Sequence, residues 1–119
     1  DTLNNLSQRY QLAALTNGNA DIQKLGLDCY FSFAISAADV GSSKPGPEMF
    51  LEALRRANVS PKQTAHVGDN PIDDIEGANR VGIHSIWVNF DGKTDQVPAR
   101  ATVTDLPSLV GTIASLSAL

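Results

Sequence analysis

The sequence predicts an α/β fold with an open, three-layer parallel sheet, and three observations predict it. Short apolar runs bounded by turn residues recur along the chain, stretches with helical periodicity lie between them, and polar segments follow several of the runs directly. Strands alternating with helices in this way form parallel β-α units, because a crossover helix is what returns the chain for the next strand. Such sheets bind ligands beyond the carboxyl ends of their strands, so the residues that follow each run are where chemistry is expected. With 119 residues, positions 1–119 make one domain or a piece of one.

Leu3, Leu6 and Tyr10 recur at spacings of three and four, with Asp1 or Thr2 placed to cap a first helix. Residues 12–15 are an apolar run that stops at Thr16-Asn17-Gly18-Asn19, which predicts a buried strand and a loop. Residues 20–25 read as a short helix with Gly26 past its end. Residues 31–37 form a second candidate strand. Gly41-Ser42-Ser43-Lys44-Pro45-Gly46-Pro47 is a loop that sets a proline at the first turn of the next helix. In that helix, Glu48–Ala57, one stripe carries Met49, Phe50, Ala53, Leu54 and Ala57, while Glu52, Arg55 and Arg56 face water. Ser60-Pro61-Lys62-Gln63 has the form of a one-turn capping box. Residues 65–67 are a strand ending at Gly68-Asp69, and residues 71–81 a helix closed by Gly82. Residues 85–88 are a further strand, on which Trp87 is expected to be partly exposed. A polar loop over residues 89–98 leads to a last strand, Ala101–Val103. Leu109, Val110, Ile113 and Leu116 seat a closing helix on the core.

Composition narrows the function classes. Nine basic against thirteen acidic residues leave a net charge of -4, and no basic cluster exceeds Arg55-Arg56. The electrostatic footprint of a nucleic-acid or anionic-membrane binder is therefore missing. No apolar run approaches the roughly 20 residues of a membrane span. One cysteine, Cys29, leaves no internal disulfide and fits a reducing, cytoplasmic setting; with no basic neighbour to activate it, it reads as a small apolar residue.

Three places could carry chemistry. In Gly68-Asp69-Asn70-Pro71-Ile72-Asp73-Asp74, three carboxylates fall at a strand-to-helix turn. A hard cation such as Mg²⁺ takes one or two carboxylates and keeps several waters, so Asp69 at the strand tip could bind it with Asp73 or Asp74 holding its waters. Helix capping by acidic side chains accounts for one or two of these residues, but poorly for all three. At Thr16-Asn17-Gly18-Asn19, a hydroxyl and free N–H groups around a glycine could gather on phosphate oxygens, although Asn-Gly also makes ordinary turns. Lys44, extended by Pro45, could reach a phosphate or a buried carboxylate, or simply be solvated. His66 and His84, at buried-looking strand positions, read as structural.

Taken in chain order, these segments resemble motifs II, III and IV of the haloacid dehalogenase-like hydrolase superfamily. Leu12-Ala13-Ala14-Leu15-Thr16-Asn17-Gly18 is similar to the motif II strand. Lys44-Pro45-x-Pro47 before Met49-Phe50 is similar to motif III. Val67-Gly68-Asp69, with Asp74-Ile75-x-Gly77-Ala78 following, is similar to motif IV. The resemblance runs from about Leu3 to Leu119. It implies a Rossmann-like core that hydrolyses phosphate esters through an aspartyl-phosphate. Thr16 and the N–H of Asn17 would then hold the phosphoryl group, Lys44 would bridge it to the nucleophile, Asp69 would bind Mg²⁺, and Asp74 or Asp73 would support the waters.

The departure from the family matters as much. Its motif I, an Asp-x-Asp-x-Thr-like segment carrying the nucleophile, has no counterpart ahead of Thr16, and neither has the cap that selects substrate. In the family the motif I strand lies between the strands of motifs II and IV, so the sheet is expected to be incomplete here. The expectation is a C-terminal part of a larger Mg²⁺-dependent phosphatase, inactive alone and partnered by the N-terminal portion of the same protein. Within that resemblance the intact Gly68-Asp69 implies a Mg²⁺-dependent phosphatase rather than a dehalogenase, and the sequence around Thr16-Asn17-Gly18 with the closing Val103-Thr104-Asp105-Leu106-Pro107 is similar to the flavin mononucleotide and acylneuraminate phosphatases, which implies a small phosphorylated substrate. A 2-haloacid dehalogenase and a non-catalytic binding module remain the alternatives.

Overall fold

The computed structural model describes residues 1–18 and 28–116. The helix expected over residues 20–25, with Gly26, lies outside them. Helix α1, Thr2–Arg9, is capped by Asp1, whose carboxylate accepts from Asn4 N at 2.8 Å. It leads to β1, Ala13–Thr16, and after a 3-10 turn at Asp28–Tyr30 to β2, Phe33–Ser36. The second strand is shorter than its sequence suggests. Ser36 and Asp39 form a capping box that turns residue 37 into a short helix, α2, Ala37–Val40. Then come α3 (Glu48–Ala57), a 3-10 turn (Pro61–Gln63) and β3 (Ala65–Gly68). A π-helical turn, Pro71–Glu76, continues as α4, Gly77–Arg80. The chain ends with β4 (His84–Val88), β5 (Ala101–Val103) and α5 (Ser108–Ala114).

All strand pairs are parallel, but the strands divide into two sets, β1-β2 and β3-β4-β5. The incomplete sheet expected from the sequence is therefore found, with no backbone pairing between β1 and β3 among the described residues.

Two apolar clusters make the outer layers. On one face, Leu6 of α1 and Leu109, Ile113 and Leu116 in and after α5 pack with Ile86 and Val103, joined by Leu12, Ala65 and Val67. On the other, Phe50 and Leu54 of α3 pack with Ala78 and Ile83, joined by Leu15. Strand β4 is buried at Ser85, Ile86 and Trp87 in succession, as expected of a strand covered on both sides. Trp87 is thus buried rather than partly exposed. An indole on a covered strand has no solvent side to turn to, and its N–H finds the Asp69 carbonyl at 3.0 Å instead. Cys29, by contrast, is exposed. No described helix is long and apolar enough to cross a membrane.

Candidate active site

The three segments singled out in the sequence meet at the carboxyl ends of β1 and β3. Asn17 is the brace between them. Its Oδ1 accepts from the Lys44 backbone N at 2.7 Å, and its Nδ2 donates to the Lys44 carbonyl and to Asp73 Oδ2, each at 3.2 Å. The side-chain amide mimics a backbone partner, and so pins the Lys44 loop to the end of β1 without a strand pairing. Thr16 Oγ1 accepts from Gly18 N at 3.1 Å, which leaves its own proton free to donate.

Lys44 reaches inward rather than into water. Its ammonium donates to Asp74 Oδ1 at 2.6 Å and to the Leu15 carbonyl at 3.4 Å, and the two charged side chains are only 10% and 7% exposed. Of its three N–H donors, one remains for a ligand.

Asp74 is the hub. Besides Lys44, its Oδ1 receives His66 Nε2 at 3.0 Å, and its Oδ2 receives Asn70 N at 3.1 Å. A carboxylate only accepts, so His66 carries its proton on Nε2. Burial alone would raise the Asp74 pKa, but the hydrogen bonds and charges of His66 and Lys44 outweigh it and hold the carboxyl well below the usual carboxylate range.

The local sequence brings this about in two steps. Asn70 caps the turn, its Oδ1 accepting from Ile72 N and Asp73 N at 2.9 Å each, and both Asp74 N and Ile75 N donate to the Asn70 carbonyl. That wide first turn folds Asp74 back onto β3, where Gly68 makes room: a Cβ there would overlap the Asp74 carboxyl group.

Asp74, expected beside a metal ion, therefore has both oxygens engaged by protein groups. Asp69 and Asp73 are differently placed. Asp69 lies exposed just past β3, tied down through its carbonyl by Trp87, and neither residue is ion-paired among the described residues. No three His, Cys, Asp or Glu side chains converge as a metal cage among the described residues. The donor set still suits Mg²⁺, which needs one or two hard carboxylate oxygens and keeps waters.

His66, whose strand position alone reads as structural, meets Asp74 at the site. The signal was in the strand period. Ala65 and Val67 pack on the α1/α5 side, so His66 and Gly68 share the other face, and whatever rests on Gly68 must meet His66. Phe50 of α3 closes that face, edge-on to the imidazole at 4.9 Å. His84 does not join this site; it opens β4 at the far end.

Comparison with known proteins follows the same lines. Residues 1–82 match the family model of the haloacid dehalogenase-like hydrolases. The chain is 40% identical over 88 residues to 5-amino-6-(5-phospho-D-ribitylamino)uracil phosphatase YigB of Escherichia coli (strain K12), across 74% of this chain and 37% of that protein. The solved structure of a 2-haloacid dehalogenase from Pseudomonas syringae pv. Tomato DC3000 is similar at a TM-score of 0.92 and 45% identity, over 95% of this chain and 50% of that one. That of a HAD phosphatase from Thermococcus onnurineus is similar at a TM-score of 0.86 and 32% identity, over 94% and 54%. The chain thus spans about half, or less, of the length of these proteins.

Proposed function

The chain belongs to the haloacid dehalogenase-like hydrolases, and we propose that the protein it forms part of is a phosphatase acting on a small phosphorylated molecule. The observation that carries this is Asp69: an exposed carboxylate at the tip of β3, outside any ion pair among the described residues, on the same rim of the sheet as a lysine ammonium with a donor to spare. Asp69, with Asp73, would hold Mg²⁺, which when bound supplies positive charge against the phosphoryl oxygens.

The chain's own residues do the rest by position. Thr16 donates its hydroxyl proton to one phosphoryl oxygen and Asn17 its backbone N–H, the Asn17 side chain being spent on bracing Lys44. The third N–H of Lys44 meets another oxygen, while Asp74 and His66 keep that ammonium from swinging into water. The nucleophile is an aspartate from outside these 119 residues, on a strand between β1 and β3, whose facing edges are unpaired with each other. Its carboxylate forms the bond to phosphorus as the ester oxygen leaves with the bonding pair and takes a proton from water to become the alcohol; water then attacks the acyl phosphate, its oxygen and protons leaving with the phosphate and the medium as the aspartate carboxylate is restored. The 119-residue chain alone is then inactive.

Phosphate release by the intact protein from a panel of phosphate monoesters, with Mg²⁺ and with chelator, tests this. The expectation is chelator-sensitive release that Asp69→Asn abolishes. The 45% identity to a 2-haloacid dehalogenase supports a second reading. Halide release from a 2-haloacid, unaffected by chelator, would establish it. Neither activity would leave a binding module.

A further inference from the structure

A second group of polar side chains lies at the opposite ends of the strands. Lys62 sits in the turn before β3, His84 opens β4, and Arg100 immediately precedes β5. Because the three strands are parallel neighbours, these positions reach one edge of the sheet. With Asn79 and Ser85 they line a cleft of about 410 Å³. At about 3.3 Å per residue, the length of β4 separates it by roughly 10–15 Å from the rim that carries Asp69.

The cleft is cationic in an acidic chain. No carboxylate lines it, although the net charge is -4, and neither Lys62 nor Arg100 has a carboxylate within ion-pair distance among the described residues. Its floor is organised. Ser85, fully buried, donates to Asn79 Oδ1 at 2.7 Å and accepts from Arg100 N at 3.2 Å, while Asn79 Nδ2 donates to the Pro98 carbonyl at 2.9 Å. His84 Nε2 lies 2.9 Å from the Lys62 carbonyl, so it must carry the proton and donate. Nδ1 then offers a lone pair, which accepts from Arg100 Nη1 at 3.1 Å. The imidazole thus orients the guanidinium and uses one of its five N–H donors, leaving the others free.

We propose that this cleft binds a phosphate group, carried by a small molecule or as inorganic phosphate. The free donors, the Lys62 ammonium and the Arg100 guanidinium, come from the turn before β3 and the residue before β5 and so approach from different directions. A tetrahedral dianion can accept from all of them, whereas a planar carboxylate accepts within one plane. The site stands apart from the catalytic rim and does not depend on the reaction carried out there.

The test is a titration of the intact protein with sodium phosphate at constant ionic strength, following backbone amide shifts in ¹H–¹⁵N spectra. Saturable shifts are expected at residues 62–64, 83–85 and 100–101, with none from chloride. Arg100→Gln should weaken this response by about tenfold and Lys62→Gln by a few-fold, the loss of one charge-assisted contact each. Shifts at Thr16 and Asn17, which report phosphate at the other rim, should keep their wild-type midpoint in both variants. A parallel titration with ethylphosphonate separates the sources: a lower midpoint than phosphate identifies an ester-borne group, a higher one the free ion. Linear, unsaturating shifts, equal shifts from chloride, or an unchanged midpoint in a well-dispersed Arg100→Gln spectrum would overturn the proposal.

Discussion

At the carboxyl ends of the strands, Lys44 is buried against a carboxylate, whereas at their amino ends Lys62 and Arg100 are exposed with no carboxylate between them. The contrast follows from solvent. A buried ammonium without a counter-charge costs several kcal/mol, so the fold had to bring Asp74 to Lys44 across 30 residues of sequence. An exposed cation is screened within about 10 Å and can wait for a ligand. At one end the buried charges are paired with each other; at the other the charge stays exposed and unpaired by any carboxylate among the described residues.

Breaking the buried end should have the largest effect. Asp74→Ala strands the Lys44 ammonium and leaves His66 without its acceptor, and removing one partner of such a pair costs about 3–5 kcal/mol. A urea-unfolding midpoint measures it. Arg100→Gln, the matching change at the exposed end, should leave that midpoint nearly unmoved.

Acid sharpens the same contrast. With its folded-state pKa held below the unfolded value of about 4, Asp74 contributes stability that is fully present above pH 4. That contribution is lost as pH falls through the folded value, because below it both states bind the proton. Wild-type midpoints measured from pH 7 to pH 3 should therefore fall more steeply than those of Asp74→Asn.

Next in size is Gly68→Ala. The added methyl overlaps the Asp74 carboxyl, and such overpacking costs about 1–3 kcal/mol. Because Asp74 must move, Lys44 loses its anchor, and kcat should drop with stability. Gly92→Ala, at a turn glycine with open space but a φ of +67°, should cost stability without touching kcat.

Much of this was legible in the sequence because the signals were local. The Asp1 cap, the one-turn box at Ser60–Gln63, the α3 stripe and the segments at Thr16, Lys44 and Asp69 depend on neighbours a few residues away. Asn17 holding Lys44 and Asp73, across 27 and 56 residues, has no local signature; any of the chain's amides could have done so. The division of labour among Asp69, Asp73 and Asp74 was hidden for a related reason. It depends on the π-helical turn, whose extra residue per turn decides which carboxylate folds back onto Gly68. The burial of Trp87 has no local signal either, because β4 alternates in side but not in burial, both faces being covered.

Trp87→Phe tests the strand tip more gently. It keeps the apolar bulk and removes only the donor to the Asp69 carbonyl, so about 1 kcal/mol of stability should be lost. If the indole fixes Asp69, the Mg²⁺ concentration for half-maximal activity should rise while KM for the phosphate ester stays put.

The smallest effect belongs to α3, where charge pairs again contrast with the buried end. Glu52 accepts from Arg55 Nη2 at 2.6 Å and Arg56 Nε at 2.8 Å, the first bond as short as that between Lys44 and Asp74. Hydrogen bonds from Arg55 and Arg56 lower its pKa to about 2. Yet these pairs lie at the surface, with Arg55 71% exposed against 10% for Lys44, and there ionic strength and side-chain entropy cancel most of the attraction. Arg56 also has a second hold, its guanidinium lying 5.7 Å from the Phe33 ring centroid. Glu52→Gln should therefore leave the urea midpoint at pH 7 within error of wild type, and added salt should erase any difference. A loss comparable to that of Asp74→Ala would mean that bond length, rather than burial, sets the strength of these pairs, and the distinction between the two ends of the sheet would fall with it.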